Sequence, residues 1–391
     1  MSKILTRVAI ATAFALSSSV FLTACAGEPA PKVDSLTVWV DELEAKSLEQ
    51  TAKDFEADTG VKINLVVESN ARGDFLSKGN TAETPDVVAG AHDWIGDLVA
   101  NQVVEPIDLG GRAGDYQDNA VAAFKYDGKN YGLPSTVQSL ALICDAKKVP
   151  NQPTWEEVKK VGLALSLNAG GGDAYHLYTI QTSFGAHVFK KDGNGNYLPE
   201  LQFENGGAEF AKWLAGEGAS VLDPKSTWDS SVAAMQKGTK GCWITGPWVS
   251  GILDLTTNQF NIYSVPSVGG KESVSFLSAR GFYVASHSKD TYYATKFVLD
   301  YVGKSETQKE LFNVSGRIPA NKSAFDSAKS DLMVQGFGKA GLNAEPLPAI
   351  PAMASVWASW GSTEMAIISG KVKPDVAWAQ MVADIKSGIT K

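Results

Sequence analysis

A strand–helix–strand pattern near the start of the chain constrains the fold more than any other feature. Residues 36–40 and 61–67 are short apolar runs typical of buried strands. Between them, apolar side chains recur at the spacing of one helix face, and a glycine follows where the helix would end (Leu48, Ala52, Phe55, Gly60). Because two strands joined through a helix lie parallel in one sheet, this segment predicts an α/β fold.

Strand and helix signals continue to alternate along the chain. Residues 85–90 are a third apolar strand, and Asp-Gly at 127–128 is a hairpin turn. Thr154 and Glu157 form the capping-box pattern that opens a helix, and Pro374 opens another. The length of 391 residues is enough for about two domains.

Composition and motifs exclude several classes of protein. Lys and Arg number 35 against 43 Asp and Glu, a net charge of −8 that argues against a nucleic-acid partner. Four scattered His and three Cys give no pattern typical of a metal site. No phosphate-binding, dinucleotide-binding or nucleophile-elbow motif stands between a predicted strand and a predicted helix, where such a motif would have to lie. We therefore expect no metal and no cofactor.

The first 25 residues have the features of an export signal. Lys3 and Arg7 precede an apolar run at 8–16, which is shorter than a membrane span of about 20 residues. Leu-Thr-Ala-Cys at 22–25 resembles a lipobox, in which the cysteine receives a lipid. An ordinary signal peptide is the alternative. We predict a signal peptide at 1–24, lipidation at Cys25 and a tether at 25–35, which place the protein on the extracytoplasmic face of the cell membrane.

Cys144 and Cys242 each lie in an apolar, strand-like run. Outside the cell an even pair of cysteines can form a disulfide. Two separate buried thiols would explain the same pattern. The sequence leaves both alternatives open.

A series of short segments runs from residue 36 to the C-terminal region. They are Leu-Thr-Val-Trp at 36–39, the segment 52–61, Gly-Ala-His-Asp-Trp at 90–94, the segment 126–134, Pro-Thr-Trp-Glu-Glu at 153–157, Gly-Pro-Trp at 246–248, Gly-Arg-Ile-Pro at 316–319 and Pro-Ala-Ile-Pro-Ala-Met at 348–353. In this order they resemble the maltose/maltodextrin-binding proteins that serve ABC importers.

This resemblance implies an α/β, two-lobe, periplasmic-binding-protein-like fold with a ligand cleft between the lobes. The N-terminal lobe would contain residues 36–136 and 279–326, and the C-terminal lobe residues 137–278 and 327–391. Crossing hinge segments would lie near 135–140, 274–281 and 325–330. The resemblance also implies a non-enzymatic, monomeric receptor that binds malto-oligosaccharides and delivers them to a permease with a cytoplasmic ATPase.

The family's ligand residues carry over to several positions. Aromatic rings cover the apolar face of a sugar, and carboxylates and amides bind its hydroxyls. The positions that correspond are Asp93, Asp173, Tyr175, Trp248 and Trp357, and more loosely Asp41, Glu42 and Glu44. Gln138 stands where the best-known members have a glutamate, and its amide can still bind hydroxyls.

Two further positions depart from the pattern. Gly90 stands where a well-known member has a stacking tryptophan, and we hypothesise that Trp94 supplies the missing ring. Gly361 replaces a basic residue, and the neighbouring Trp360 is a further candidate ligand.

Other interpretations compete with these assignments. Tryptophans in apolar or helical runs are core residues more often than ligands, and an aspartate before a helix, such as Asp93, can be a helix cap. The departures at Gly90 and Gln138 leave trehalose or another α-glucoside as an alternative solute. An extracytoplasmic glycosidase using Asp93 and Asp173 is the less favoured alternative.

Overall fold

The structure, a computed structural model, describes residues 33–390 except 80, 168–170, 194, 256 and 358. The predicted signal peptide, the lipidation site Cys25 and most of the predicted tether lie outside the described residues. In the described ranges, none of the helices is long and apolar enough to span a membrane.

The strands of the described chain form four sheets. They are β1 (Ser35–Val40), β2 (Lys62–Val67), β3 (Val87–Ala91), β4 (Lys125–Tyr126), β5 (Lys129–Asn130), β6 (Gly132–Ser139), β7 (Ala141–Asp145), β8 (Leu163–Ala164), β9 (Phe189–Lys191), β10 (Tyr197–Leu201), β11 (Cys242–Thr245), β12 (Phe260–Tyr263), β13 (Phe276–Val284), β14 (Ile318–Pro319) and β15 (Glu345–Pro346).

Helices alternate with these strands. They are α1 (Glu42–Thr59), α2 (Ala71–Lys78), α3 (Ile95–Ala100), α4 (Asp118–Ala123), α5 (Trp155–Val161), α6 (Ala174–Thr182), α7 (Gly207–Trp213), α8 (Ala219–Val221), α9 (Trp228–Gln236), α10 (Thr291–Lys296), α11 (Ser305–Ser315), α12 (Lys322–Ser327), α13 (Leu332–Gly341), α14 (Met353–Trp357), α15 (Trp360–Ile368) and α16 (Pro374–Ile389). Shorter 3₁₀ turns are His92–Trp94, Gly110–Asp115 and Pro247–Gly251, and π turns are Leu214–Gly218 and Phe297–Val302.

Local sequence signals predicted these elements well. Gly60 ends α1 as predicted, in a left-handed conformation with φ 68°, whereas the capping of this helix by the carboxylate of Asp41 was not predicted. Thr154 and Glu157 form the predicted capping box of α5. The Asp-Gly hairpin joins β4 to β5.

The larger sheet has seven strands in the order β14-β6-β13-β3-β1-β2, and β15 pairs with β13. β1 lies parallel to both β2 and β3, which confirms the predicted strand–helix–strand unit. Because the carboxyl ends of parallel strands meet at one edge, Asp41 after β1 and the 3₁₀ turn after β3 lie at the same edge of this sheet.

The smaller sheet has four strands in the order β12-β7-β11-β8. The chain passes from the larger sheet into the smaller one at Leu140, between β6 and β7. Side chains of this sheet alternate between two hydrophobic cores: Ile143 and Trp243 pack with the core of the larger sheet, and Leu142 and Ile244 pack with a second core. The sheet therefore lies between the two cores.

A disulfide joins the two central strands of the smaller sheet. Cys144 on β7 lies directly opposite Cys242 on β11 in the antiparallel register, and their sulfur atoms are bonded. Both residues are fully buried in the second core. The structure thus has the disulfide rather than the two separate thiols that the sequence left as an alternative.

Candidate functional site

Asp93 lies at the carboxyl edge of the larger sheet, in the 3₁₀ turn that follows β3. Neither this turn nor α3 has a side-chain cap, so the capping interpretation of Asp93 is wrong. The preceding His92 is fully buried, and its Nδ1 accepts from the N–H of Ala279 at 3.1 Å while Nε2 donates to the carbonyl of Leu347 at 3.1 Å. Burial lowers the pKa of His92. A neutral His92 therefore anchors the turn that carries Asp93.

Trp94 lies over Gly90 at the same edge. A Cβ atom at Gly90 would be 2.3 Å from Cζ3 of Trp94, so the indole fills the space that a side chain at residue 90 would occupy. Trp94 is half-buried and packs against the core of the larger sheet. This geometry agrees with the hypothesis that Trp94 replaces a ring missing at Gly90.

Trp248 repeats this arrangement at the end of β11. A Cβ atom at Gly246 would be 2.1 Å from Cζ3 of Trp248, so the indole lies against the glycine. Trp248 remains 42% exposed, unlike the tryptophan of the preceding strand, Trp243, which is fully buried. A large aromatic face in solvent is unusual in a core residue and is typical of a binding surface.

Asp173 and Tyr175 lie at the start of α6. Asp173 caps the helix by accepting the backbone N–H of His176 at 3.2 Å. Tyr175 stacks on Phe276 with ring centroids 5.9 Å apart. Burial raises the pKa of Tyr175, and the carboxylates of Asp173 and Asp93 raise it further. The negative charge of Asp93, on the larger sheet, therefore acts on the hydroxyl of Tyr175 at the start of α6.

Trp357 and Trp360 stack with ring centroids 5.4 Å apart and an interplanar angle of 27°. Trp357 is 41% exposed, whereas Trp360 is fully buried and donates from Nε1 to Oε1 of Gln181 at 3.0 Å. The assignment of Trp360 as a ligand residue is therefore wrong, because its ring does not reach the surface. Trp360 instead supports the exposed ring of Trp357 from behind.

The carboxylates after β1 are bound within the protein. Glu44 is only 3% exposed, and its two oxygens accept from Nε and Nη2 of Arg280 at 3.0 Å each. Arg317 lies 3.4 Å from the same carboxylate and 2.7 Å from Oδ2 of Asp41. The assignment of Glu44 as a ligand residue is therefore wrong, because arginine donors and the N–H of Asp41 occupy its oxygens.

Asp41 and Glu42 keep more access to solvent than Glu44. Asp41 is half-buried and Glu42 is exposed. Burial by itself raises the pKa of Asp41, but the hydrogen bond from the backbone of Glu44 and the charges of Arg317 and Arg280 outweigh it and lower the pKa. Asp41 is therefore a fixed anion beside two arginines that the sequence analysis missed.

Gln138 is half-buried on β6, opposite Ser278 of β13. It lies in the stretch where the chain crosses from one sheet to the other.

A cavity of about 800 Å³ lies between α4, the β9–β10 hairpin and β15, and the buried His92 forms part of its wall. Glu345 in its wall contacts Nδ1 of His187 at 3.1 Å and Nζ of Lys191 at 2.9 Å, and it accepts the hydroxyl of Tyr178. Burial by itself raises the pKa of Glu345, but His187, Lys191 and Tyr178 outweigh it and hold the pKa at about 2. The predicted ligand residues do not line this cavity.

The candidate residues fall into two groups, which we call the first side and the second side. The first side, on the larger sheet, has Asp41, Asp93 and Trp94. The second side has the start of α6, Trp248 after β11 and Trp357 at the end of α14. In the described residues, His, Cys, Asp and Glu side chains form no group of three or more that could hold a metal ion.

Solved structures of known proteins are similar to this chain over almost its whole length. A cyclo/maltodextrin-binding protein complexed with maltotetraose matches with a TM-score of 0.83 and 25% identity, covering 93% of this chain and 99% of its own. An extracellular solute-binding protein from Staphylococcus aureus in complex with maltose matches with a TM-score of 0.80 and 25% identity, covering 92% and 98%. These matches confirm the periplasmic-binding-protein-like fold.

Curated relatives agree with the structures. A maltooligosaccharide ABC transporter solute-binding lipoprotein of Streptococcus pneumoniae is 26% identical over 95% of each chain. The maltodextrin-binding protein MdxE of Bacillus subtilis is 25% identical over 94% of each chain. The profile described as bacterial extracellular solute-binding protein matches residues 50–334. The chain belongs to the family of bacterial extracellular solute-binding proteins.

Proposed function

We propose that this protein is the solute-binding component of a carbohydrate ABC importer and that it binds maltose and malto-oligosaccharides. The observation that carries the proposal is the pair of exposed indoles, Trp248 and Trp357, each about two-fifths exposed, on a surface that also has carboxylates. The near full-length similarity to maltodextrin-binding proteins supports the same solute class.

The chemistry of the two sides suits a glucan. The flat faces of glucose units present C–H groups to the rings of Trp94, Trp248 and Trp357. The carboxylates of Asp93 and Asp173 accept hydrogen bonds from sugar hydroxyls, and such charge-assisted bonds are short and strong. Gln138 and the exposed Glu42 offer further polar groups near the sheet edge.

The sugar favours a closed state because it contacts both sides at once. In this proposal the N-terminal lobe contains residues 36–136 and 279–326, and the C-terminal lobe contains 137–278 and 327–391. The passage from β6 to β7 at Leu140 supports a crossing point near 135–140. A ligand that binds both lobes shifts the population toward the closed form, which docks on a permease driven by a cytoplasmic ATPase.

Binding without catalysis is part of the proposal, as are a lipid anchor at Cys25 and a monomeric state. A glycosidase would need one carboxyl group with a raised pKa at a fixed distance from a second carboxylate. The functional groups of Asp93 and Asp173 serve equally well as hydroxyl acceptors. Incubation of the protein with maltoheptaose should leave the sugar intact, and shorter products would contradict the receptor assignment.

Tryptophan fluorescence during titration with maltotriose tests the proposed ligand. We expect a saturable change that is strongly weakened in Trp248→Ala and preserved in Trp155→Phe, since Trp155 is buried in the second core. Cellotriose, with β-linkages, serves as the matched sugar control, and trehalose tests the alternative solute. A response to trehalose but to no malto-oligosaccharide would replace the proposed ligand.

A further inference from the structure

His176 is a partly buried side chain at the start of α6 to which the sequence assigned no role. Only 14% of its side chain is exposed. Its neighbours include three of the proposed sugar-binding residues, namely Asp173, Tyr175 and Trp248. The imidazole of His176 therefore contacts the carboxylate of Asp173, the phenol ring of Tyr175 and the indole of Trp248.

The imidazole of His176 lies directly beside the carboxylate of Asp173. Nδ1 of His176 lies 2.7 Å from Oδ2 of Asp173, while Oδ1 accepts the backbone N–H of the same histidine. Both oxygens therefore face the same residue: one accepts its backbone N–H, and the other lies within ion-pair distance of its ring nitrogen. The ring nitrogen and the carboxylate approach closely, although their geometry is not that of a well-aligned hydrogen bond.

A second acid lies behind this pair. Glu364 on α15 is fully buried, and neither of its oxygens has a hydrogen-bond partner in the described residues. Burial raises the pKa of Glu364, and the charge of Asp173 raises it further. The neutral, protonated form of Glu364 is favoured, so it adds no second negative charge beside Asp173.

The same imidazole meets the two rings edge-on. Its centroid lies 6.0 Å from that of Trp248 at 87°, and 5.4 Å from that of Tyr175 at 81°. Edge-to-face contacts of this kind fix the orientation of aromatic rings. Trp248 is thereby held between Gly246 on one side and His176 on another.

The geometry points to His176 as a positioning residue that fixes the rotamers of Asp173 and Trp248 for a sugar ring. This inference rests on the proposed function and deepens it, because it names the side chain that couples the acidic and aromatic contacts of the second side. Histidine itself does not have to touch the sugar to act in this way.

Three substitutions separate its two contacts. His176→Phe keeps a flat ring beside Trp248 and removes the nitrogen that faces Asp173. His176→Gln keeps an N–H donor and removes the ring. His176→Ala removes both, and we expect it to weaken maltotriose binding by about 10-fold or more, with smaller losses for Phe and Gln. His187→Phe is the matched control, since His187 also faces a carboxylate, that of Glu345, and should leave affinity unchanged.

A double-mutant cycle distinguishes positioning from general stability. If His176 acts through Asp173, the loss of affinity in the double variant Asp173→Asn with His176→Phe is clearly smaller than the product of the two single losses. Acrylamide quenching of the unliganded protein, with Trp248→Phe as the reference, reports whether His176→Ala frees the Trp248 ring. Equal quenching and strictly multiplicative losses would overturn the inference.

Failure of the inference and failure of the proposed function have different signatures. If the wild-type protein binds malto-oligosaccharides and the His176 variants bind them equally well, only the positioning role is refuted. If the wild-type protein binds none of them, the proposed ligand and the positioning role for it are both refuted. If His176→Ala does not fold, the affinities of His176→Phe and His176→Gln, and the double-mutant cycles of each with Asp173→Asn, test the positioning role in its place.

Discussion

The two sides of the candidate site differ in whether their polar and aromatic side chains are paired within the protein or exposed to solvent. On the first side, Glu44 is saturated by Arg280 and Arg317, and Asp41 is tied to Arg317. On the second side, Trp248 and Trp357 keep large exposed faces, and Asp173 lies beside His176 with no lysine or arginine within ion-pair distance in the part of the chain that the structure describes. The acidic residues of these two groups therefore differ: Asp41 and Glu44 of the first side are paired within the protein, whereas Asp173 has no basic partner of that kind in the described residues.

The difference has a physical cause. A carboxylate that is almost fully buried must be compensated within the protein, because an unpaired charge in a low-dielectric interior is very costly. An aromatic ring has no charge to compensate, so it can stay exposed to solvent at a moderate cost in free energy. Rings on a rigid support are for this reason well suited to be the preformed part of a sugar site.

The largest effect should come from removing Glu44. Glu44→Ala leaves Arg280 and Arg317 without their buried partner and breaks the capping box of α1. We expect a loss of about 3–5 kcal/mol in the free energy of unfolding, measured by urea denaturation. Glu42→Ala, two residues earlier and exposed, should change stability by less than about 0.5 kcal/mol. Equal stability of both variants would show that the ion cluster is not structural.

Substitution of Glu345 shows whether a buried carboxylate away from the first side is also stabilised by ionic partners within the protein. Its pKa of about 2 in the folded protein lies below the ordinary value of 4.5, so its stabilising effect is complete above pH 4.5 and is lost as the pH falls toward 2. Glu345→Gln should therefore cost about 3 kcal/mol at pH 7 and about half of that at pH 3. Urea denaturation at both pH values measures this, with Glu200→Gln, in an exposed pair with Lys190, as the control. A cost that does not depend on pH would contradict the ionic role.

Trp357 tests the available surface of the second side. Trp357→Ala should lower the affinity for maltotriose by roughly 30-fold, equivalent to about 2 kcal/mol, because a sugar face loses its apolar partner. Thermal stability should change little, since the ring is already 41% exposed. Isothermal titration calorimetry and a thermal melt measure the two quantities. A large drop in the melting temperature with unchanged affinity would assign Trp357 to the core.

The smallest expected effect compares the two glycines under the indoles. Gly246→Ala and Gly90→Ala each place a Cβ atom within 2.3 Å of a tryptophan ring atom, so the rings must turn away. We expect maltotriose affinity to fall by about 10-fold in each, at a cost to stability of about 1 kcal/mol. Gly114→Ala, where the added atom meets no neighbour within 4 Å, is the control. A loss at Gly246 without one at Gly90 would show that Trp94 does not face the sugar.

Much of the fold followed from local signals in the sequence. The stop at Gly60, the capping box at Thr154 and the hairpin at 127–128 depend on residues close to one another, and each lies where it was predicted. The parallel arrangement of β1 and β2 followed from the helix between them.

The features that the sequence did not predict depend on distant residues. Glu44 meets Arg280 and Arg317 across 236 and 273 residues, and no local spacing indicates such a pairing. The contrast between Trp357 and Trp360 was missed because α14 ends at one and α15 begins at the other, so a single helical period does not relate them. The contact of His176 with Trp248 joins residues 72 positions apart, so no local pattern indicated it.

The disulfide between Cys144 and Cys242 makes a covalent ring of the intervening chain, with a sequence separation of 98 residues. This ring contains α5 to α9, and with them Asp173, Tyr175 and His176. A protease that cuts the ring once yields no separate fragment, because the two pieces stay joined until a reductant is added. Nicked protein would therefore migrate as an intact chain on a non-reducing gel. The disulfide would also keep the two central strands of the smaller sheet together after a cut in the ring, whereas without the disulfide the same cut would leave them joined by non-covalent contacts alone.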